Sequence, residues 1–321
     1  MGEVGFGVAL ALLAGLIMAV NALVAVALVR LIWKNRGLGL CFVLNLAIAD
    51  SLVGFTITGL VAEELSGPEH QTPKNHCIFR MACVTSPSAA SVLTVILVAF
   101  DRYLAIEHPF RYFRIMRAPL VGACIGGLWL LAGLIGFLPV IIRPFQKPTY
   151  HEECTFYGVF RPTYVLTVFC VAFCPACGLF LYFHWQLLQT ANLHAQQIRE
   201  LGHSRSAGIF PALHPHSDAK AMRTVAVLVG CFTLSWSPFF VGSIVELACE
   251  HCDLEGLLER YLWVLGLCSS LANPLVYACW QKDVRLQVCQ MCRSLKSRVS
   301  PLCHSHRQPG VPAVSLARPE E

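Results

Sequence analysis

The chain has 321 residues, 56% of them hydrophobic and 13% charged, with a formal charge of +5 and a mean hydropathy of +0.60. So little charge on so long a chain excludes an ordinary soluble protein, whose surface would need more. The apolar residues are gathered into runs of about 20, the length of helix that crosses roughly 30 Å of hydrocarbon.

In chain order the runs are about Phe6–Trp33, Cys41–Ala62, Cys77–Phe100, Leu120–Ile142, Tyr164–Trp185, Thr224–Cys249 and Tyr261–Trp280. Each predicts a spanning helix, because a backbone in lipid must satisfy its own N–H and C=O groups. The short alternating strands of a membrane barrel are missing. The first run is too long for a signal-peptide core, lacks a basic leader and ends in Arg30, Lys34 and Arg36, so it reads as a span. Alternate loops share the basic residues unequally, eighteen on one side and six on the other. The richer side is cytoplasmic, which places the N-terminus outside and the C-terminus inside. The expected fold is an all-α membrane protein. Its seven-helix bundle occupies residues 1–280, followed over 281–321 by a short amphipathic helix and a cytoplasmic tail. The inner basic surface faces anionic membrane lipid and requires no nucleic acid.

Polar residues inside the spans are the next signal, because a charge in hydrocarbon is costly. Asp50 lies deep in span two, in "LNLAIADSLVG". Ser91, Ser269, Ser270 and Asn273 lie at comparable depth and could gather Na⁺ or water around its carboxylate. Helix–helix hydrogen bonding without an ion is the other reading. Pro139, Pro175, Pro238 and Pro274 fall inside apolar runs and predict kinks, and Trp236 stands two residues before Pro238. Most of the 16 cysteines lie within spans. Cys77 and Cys154 face the oxidising side and are a disulfide candidate. In "CEHC", Cys249 and Cys252 suit a short-loop disulfide better than a metal, since one histidine leaves too few ligands. Cys289 and Cys292 follow the last span and are either S-palmitoylation sites or unmodified thiols.

Span three ends in "VILVAFDRYLAIEHPF", an apolar run closed by an adjacent acid and base. This resembles the DRY motif of rhodopsin-like (class A) G-protein-coupled receptors. The likeness extends in order through "LAIAD", Trp129, Pro175, "SWSP" and "NPLVY". It implies that Asp101 and Arg102 form a reversible latch, with Asp218 at the inner end of span six as a second acidic partner. Tyr103 completes the motif, and Pro109 and Phe110 would fill the G protein's hydrophobic slot. Pro238, Asn273, Pro274 and Tyr277 would be the moving parts of activation. Two positions depart from the family pattern: Ser235 replaces a usual cysteine, and Phe183 stands where a tyrosine is common.

For the ligand, Val84 occupies the site where amine receptors carry an aspartate, which argues against an amine. Val84, Thr85 and Phe156, with Trp236, Phe239, Phe240 and Trp263, outline an apolar outer pocket. Arg80, Ser88, Glu259 and Arg260 supply its polar groups, a cation-bearing rim that suits a lipid with a small head. "VTSPSAASVLTVILVAFDRYLAI", "AGLIGFLP" and "LERYLW" are similar to a lipid-sensing branch of the family. That likeness implies fatty-acid ethanolamides, monoacylglycerols or lysophospholipids as agonists. It also implies coupling to the stimulatory G protein, a rise in cyclic AMP with insulin or incretin secretion, and arrestin as a further partner. Other readings are a nucleoside receptor and a constitutively active receptor without a ligand. Phe156, two residues after Cys154, fits the nucleoside reading, although Ser243 replaces its asparagine. A transporter would need intramembrane charges along a path and paired halves. An enzyme would rest on His184 alone.

Overall fold

The computed structural model of the chain describes residues 3–35, 37–66, 72–150, 154–168, 215–249 and 251–305, with isolated positions between 170 and 196. The side chains of 215–226 and 295–305, and of a few single residues, lie outside that description. The first four spans are the helices Glu3–Asn35, Gly39–Ser66, Lys74–Glu107 and Ala118–Ile141. Span six is Pro215–Ala248. Span seven runs from Glu255–Leu257 through a π-turn over Leu258–Leu262 into Trp263–Leu267 and Ser269–Trp280. Span five is described over Pro162–Val168. Pro175, Phe183 and His184 fall outside the described residues, as does most of the third inner loop. Among the described residues, six helices are long and apolar enough to cross a membrane.

The helices overrun the apolar runs, because a helix keeps its backbone bonds as it leaves the hydrocarbon. Span three continues to Glu107, so Asp101 and Arg102 lie on the helix itself, just beyond its apolar run. The spans are apolar on every side, as expected of helices that meet lipid on one face and protein on the other. Leu12, Phe55, Leu130 and Leu134 are exposed to lipid. Small residues mark the contacts: Ala49, Ala90 and Ala132 are fully buried and bring spans two, three and four together. That pattern follows from association in lipid, where close backbone approach replaces the hydrophobic effect. Pro139, Pro238 and Pro274 sit within helices as expected, and Pro87 in span three is a further one.

The helix after span seven corrects the sequence expectation. It is not short: Lys282–Ser305 spans 24 residues. Val284 and Met291 bury one face of it, Val284 within the inner core. Cys289 and Cys292 remain exposed. On the outer side, disulfides join Cys77 to Cys154 and Cys249 to Cys252. The first ties the second outer loop to span three. A bridge between Gln146 and Phe160 closes that loop on itself.

Candidate functional site

Two adjoining cavities of about 90 and 80 Å³ open between spans three, five and six. Thr85, Ser88, Val168, Trp236 and Phe240 line both, and Val84, Phe156, Phe239 and Trp263 complete the second. The expected aromatic pocket is therefore assembled. Its charged rim is not. Arg80 turns to span two and pairs with Glu63. Glu259 accepts the Tyr157 N–H at 2.8 Å. The Arg260 guanidinium sits 6.0 Å from the centre of the Phe6 ring, against span one. Burying an unpaired charge in the pocket would cost more than these contacts at its edge. Among the described residues the lining carries no charge. Thr85 and Ser88 line the pocket, but their hydroxyls donate to Met81 O and Val84 O, both at 2.8 Å. Met81, Tyr164, Val165 and Val168 also line it. Hydropathy does not mark them, since an apolar residue in a span reads alike whether it faces a ligand, a helix or lipid.

Trp236 forms the pocket floor. Its indole N–H donates to Ser269 Oγ at 3.1 Å, and that hydroxyl donates to Gly266 O at 2.7 Å. A Cβ at Gly266 would stand 2.8 Å from the indole ring, so only glycine allows this seat. Ser269 thus serves the tryptophan, not the buried carboxylate.

The second outer loop is strapped to spans six and seven. Ser243 Oγ donates its single proton to Phe239 O at 2.6 Å, which makes Tyr157 the donor in the 2.6 Å contact between the Tyr157 and Ser243 hydroxyls. Burial pushes the Tyr157 hydroxyl up to about 12, so it stays protonated. Lys147 adds a 3.1 Å ion pair to Glu255. No sequence signal joins Tyr157 to Ser243, which lie 86 residues apart. The two ends of this bond should not be equivalent. Tyr157→Phe leaves Ser243 its backbone acceptor and should cost about 1 kcal/mol, whereas Ser243→Ala strands a buried phenol and should cost about 1–3 kcal/mol. Thermal unfolding in detergent should rank Ser243→Ala lower; equal midpoints would contradict the bond's assigned direction.

Deeper, Asp50 is fully buried. Ser91 Oγ donates to Oδ1 at 2.6 Å and Asn273 Nδ2 to Oδ2 at 3.0 Å. The Ser270 hydroxyl is a further polar neighbour of the carboxylate. Among the described residues no basic side chain pairs with it. Asn21 donates to Ser270 O at 2.9 Å, leaving its own Oδ1 buried without a partner among the described residues. Asn45 joins Thr94 at 2.8 Å and the Trp129 indole at 2.9 Å.

At the inner end, Arg102 donates to Asp101 Oδ2 from Nε at 2.9 Å and Nη2 at 2.5 Å. Tyr112, on the inner helix Pro109–Ile115, donates to Asp101 Oδ1 at 2.8 Å. Burial first, then the charge of Asp101, raises the Tyr112 pKa, which keeps that donor protonated. Sequence reading missed Tyr112, whose role depends on how the loop folds back. The Asp101 side chain is 1% exposed and that of Arg102 29%, so the acid is enclosed and the base faces an exit. Tyr103 follows on the same helix, Pro109 opens the inner helix, and Phe110 is 97% exposed beside them. Pro238 and Pro274 lie inside spans six and seven. The Tyr277 hydroxyl is buried with no partner among the described residues. The Asp218 side chain lies outside the described residues.

A model of the rhodopsin family of seven-transmembrane receptors matches residues 20–277. The chain is 54% identical to the glucose-dependent insulinotropic receptor of Homo sapiens over 292 residues, covering 91% of this chain and 87% of that one. It is 54% identical to the receptor of the same name from Rattus norvegicus over 291 residues, 90% of this chain but 62% of the rat sequence. The chain thus spans less than two thirds of the rat relative. Against the 5-hydroxytryptamine receptor 4 of Rattus norvegicus the identity is 30% over 267 residues, 76% of this chain and 65% of that one.

Proposed function

The chain belongs to the rhodopsin family of seven-transmembrane receptors, and on that premise we propose that it is a lipid-activated receptor that raises cyclic AMP. As a multi-pass receptor of the plasma membrane, and not an enzyme, it works by binding a ligand and engaging a G protein. The proposed agonists are fatty-acid ethanolamides, monoacylglycerols or lysophospholipids. The proposed transducer is the stimulatory G protein, with insulin or incretin secretion as the physiological output and arrestin as a partner of the active state.

The observation that carries this reading is the pocket lining, which carries no charge among the described residues. An amine would need a carboxylate to meet its ammonium, and Val84, 3% exposed, stands where such an acid would be. A nucleoside would need several free donors and acceptors, yet Thr85 and Ser88 already spend their protons on the backbone. An acyl chain needs neither. Similarity to the glucose-dependent insulinotropic receptor supports the same reading. The test is cyclic AMP in cells displaying the receptor, treated with oleoylethanolamide, serotonin, adenosine or vehicle. A rise with the lipid alone is expected. A response to serotonin or adenosine instead, or none to any, would overturn the lipid assignment.

We also propose that Na⁺ binds at Asp50, with Ser91 and Ser270 as further oxygen ligands. A fully buried carboxylate without a basic partner among the described residues is the observation that supports it. In membranes, replacing choline by Na⁺ should weaken agonist binding to the native receptor and leave Asp50→Asn unaffected. Equal sodium sensitivity of the two receptors would remove the ion from the site.

A further inference from the structure

We infer that Gly39, at the start of span two, is the seat of the Asp101–Arg102 pair and sets how tightly the receptor is held at rest. The inference rests on reading that pair as a latch. A Cβ at Gly39 would lie 2.6 Å from Arg102 Nη2, 2.7 Å from Asp101 Oδ2 and 3.0 Å from Asp101 Oδ1. Those separations are below van der Waals contact, so even a methyl group must displace something.

Three surroundings determine what moves. Span two cannot retreat, because Phe42 and Val43, one turn on, and Leu46, two turns on, are buried to 3% exposure or less in the inner core with Val98 and Leu104. The turn entering the span is held by Leu40 N–H to Gly37 O at 3.1 Å and Cys41 N–H to Leu38 O at 3.0 Å. Asp101 is pinned from its other side by the Tyr112 hydroxyl at 2.8 Å. What remains is the Arg102 guanidinium, the end of a long and flexible side chain facing the exit. A side chain at position 39 crowds both partners, forcing the Asp101 carboxylate to give by a few tenths of an ångström and displacing the more mobile Arg102 from it, the movement that frees Arg102 for a G protein.

The backbone does not require glycine here. Gly39 has no left-handed φ and opens a regular helix, so alanine is compatible with the local fold. The three atoms nearest its missing Cβ all belong to the pair, which makes Gly39 a positioning residue.

The experiment is agonist-independent G-protein activation, read with a panel of G-protein biosensors and normalised to epitope-counted surface receptor. It compares native receptor, Gly39→Ala, Gly39→Val, Gly37→Ala and Asp101→Asn. Gly37 is two residues away in the same turn, and a Cβ there meets only Leu40, at 3.6 Å. A severalfold higher basal signal per receptor is expected for Gly39→Ala, more for Gly39→Val, and none for Gly37→Ala. Basal signal from both Gly39 variants equal to native while Asp101→Asn is elevated would overturn the role of Gly39 and leave the latch standing. An equal rise from Gly37→Ala would overturn it too, by tracing the effect to loop stiffness. An unchanged Asp101→Asn would sink the latch reading and this inference with it.

Discussion

Arg102→Ala will abolish agonist-dependent cyclic AMP at normal surface expression, whereas Asp101→Asn will raise the signal made without agonist. Both follow from the same geometry. Arg102 makes two charge-assisted bonds to Asp101, at 2.9 and 2.5 Å. Hydrogen bonds of this kind are worth about 1.5–3 kcal/mol, and that energy corresponds to about one to two powers of ten in the resting equilibrium. The Asp101→Asn side chain keeps the shape and can still accept from Tyr112, while its NH2 group then replaces the oxygen that faces Arg102, so the change removes both the charge and the acceptor of the pair. Removing Arg102 instead takes away the group the G protein would meet beside the exposed Phe110. Cyclic AMP in cells carrying each variant reads both effects. A normal lipid response from Arg102→Ala would mean that the pair is structural.

Cys154→Ser will greatly reduce surface receptor and ligand response, while Cys252→Ser will have a much smaller effect. The two bonds differ in the chain they close: 77 residues separate Cys77 from Cys154, and 3 separate Cys249 from Cys252. Loop-closure entropy assigns about 4.5 kcal/mol to the first and about 2 kcal/mol to the second. Both are upper bounds, because spans remain helical when a membrane protein unfolds within lipid. The first bond also holds Phe156 in the pocket wall and Tyr157 against Ser243. Its loss therefore loosens the binding site as well as the fold. Surface counting by epitope and oleoylethanolamide titration would measure the two effects separately. Native surface levels and potency for Cys154→Ser would show that the remaining loop contacts suffice.

The spans and their orientation were legible because a bilayer imposes one simple rule on every helix. Apolar length and the sidedness of arginine and lysine then need no tertiary information. The buried acid Asp50 and the pair Asp101–Arg102 were legible for a related reason: a charge in or beside hydrocarbon stands out against its neighbours. The tail helix was legible as amphipathic, and Val284 and Met291 bury its apolar face, but its length of 24 residues was not, because outside the bilayer no apolar run measures a helix.

The pocket rim shows where such reading ends. Arg80, Glu259 and Arg260 lie at the right depth, yet each is turned to a different neighbour: Glu63, the Tyr157 backbone and Phe6. Depth follows from position along a helix. Direction depends on the rotation of that helix against others, which a uniformly apolar span does not encode.

By itself the sequence determined the membrane class, the seven spans, their topology, the order of the family motifs and which residues could carry charge at depth. Those properties depend on how many apolar residues follow one another and on which loop holds a cation, and both are local. Only the tertiary structure decided that the described pocket lining is uncharged, that Tyr157 closes on Ser243, that Tyr112 supports Asp101, and that Gly39 and Gly266 stand against Arg102 and Trp236. The reason is that these are contacts of a few ångströms between residues on different helices or loops, set by the packing of elements whose sequences do not say which face meets which.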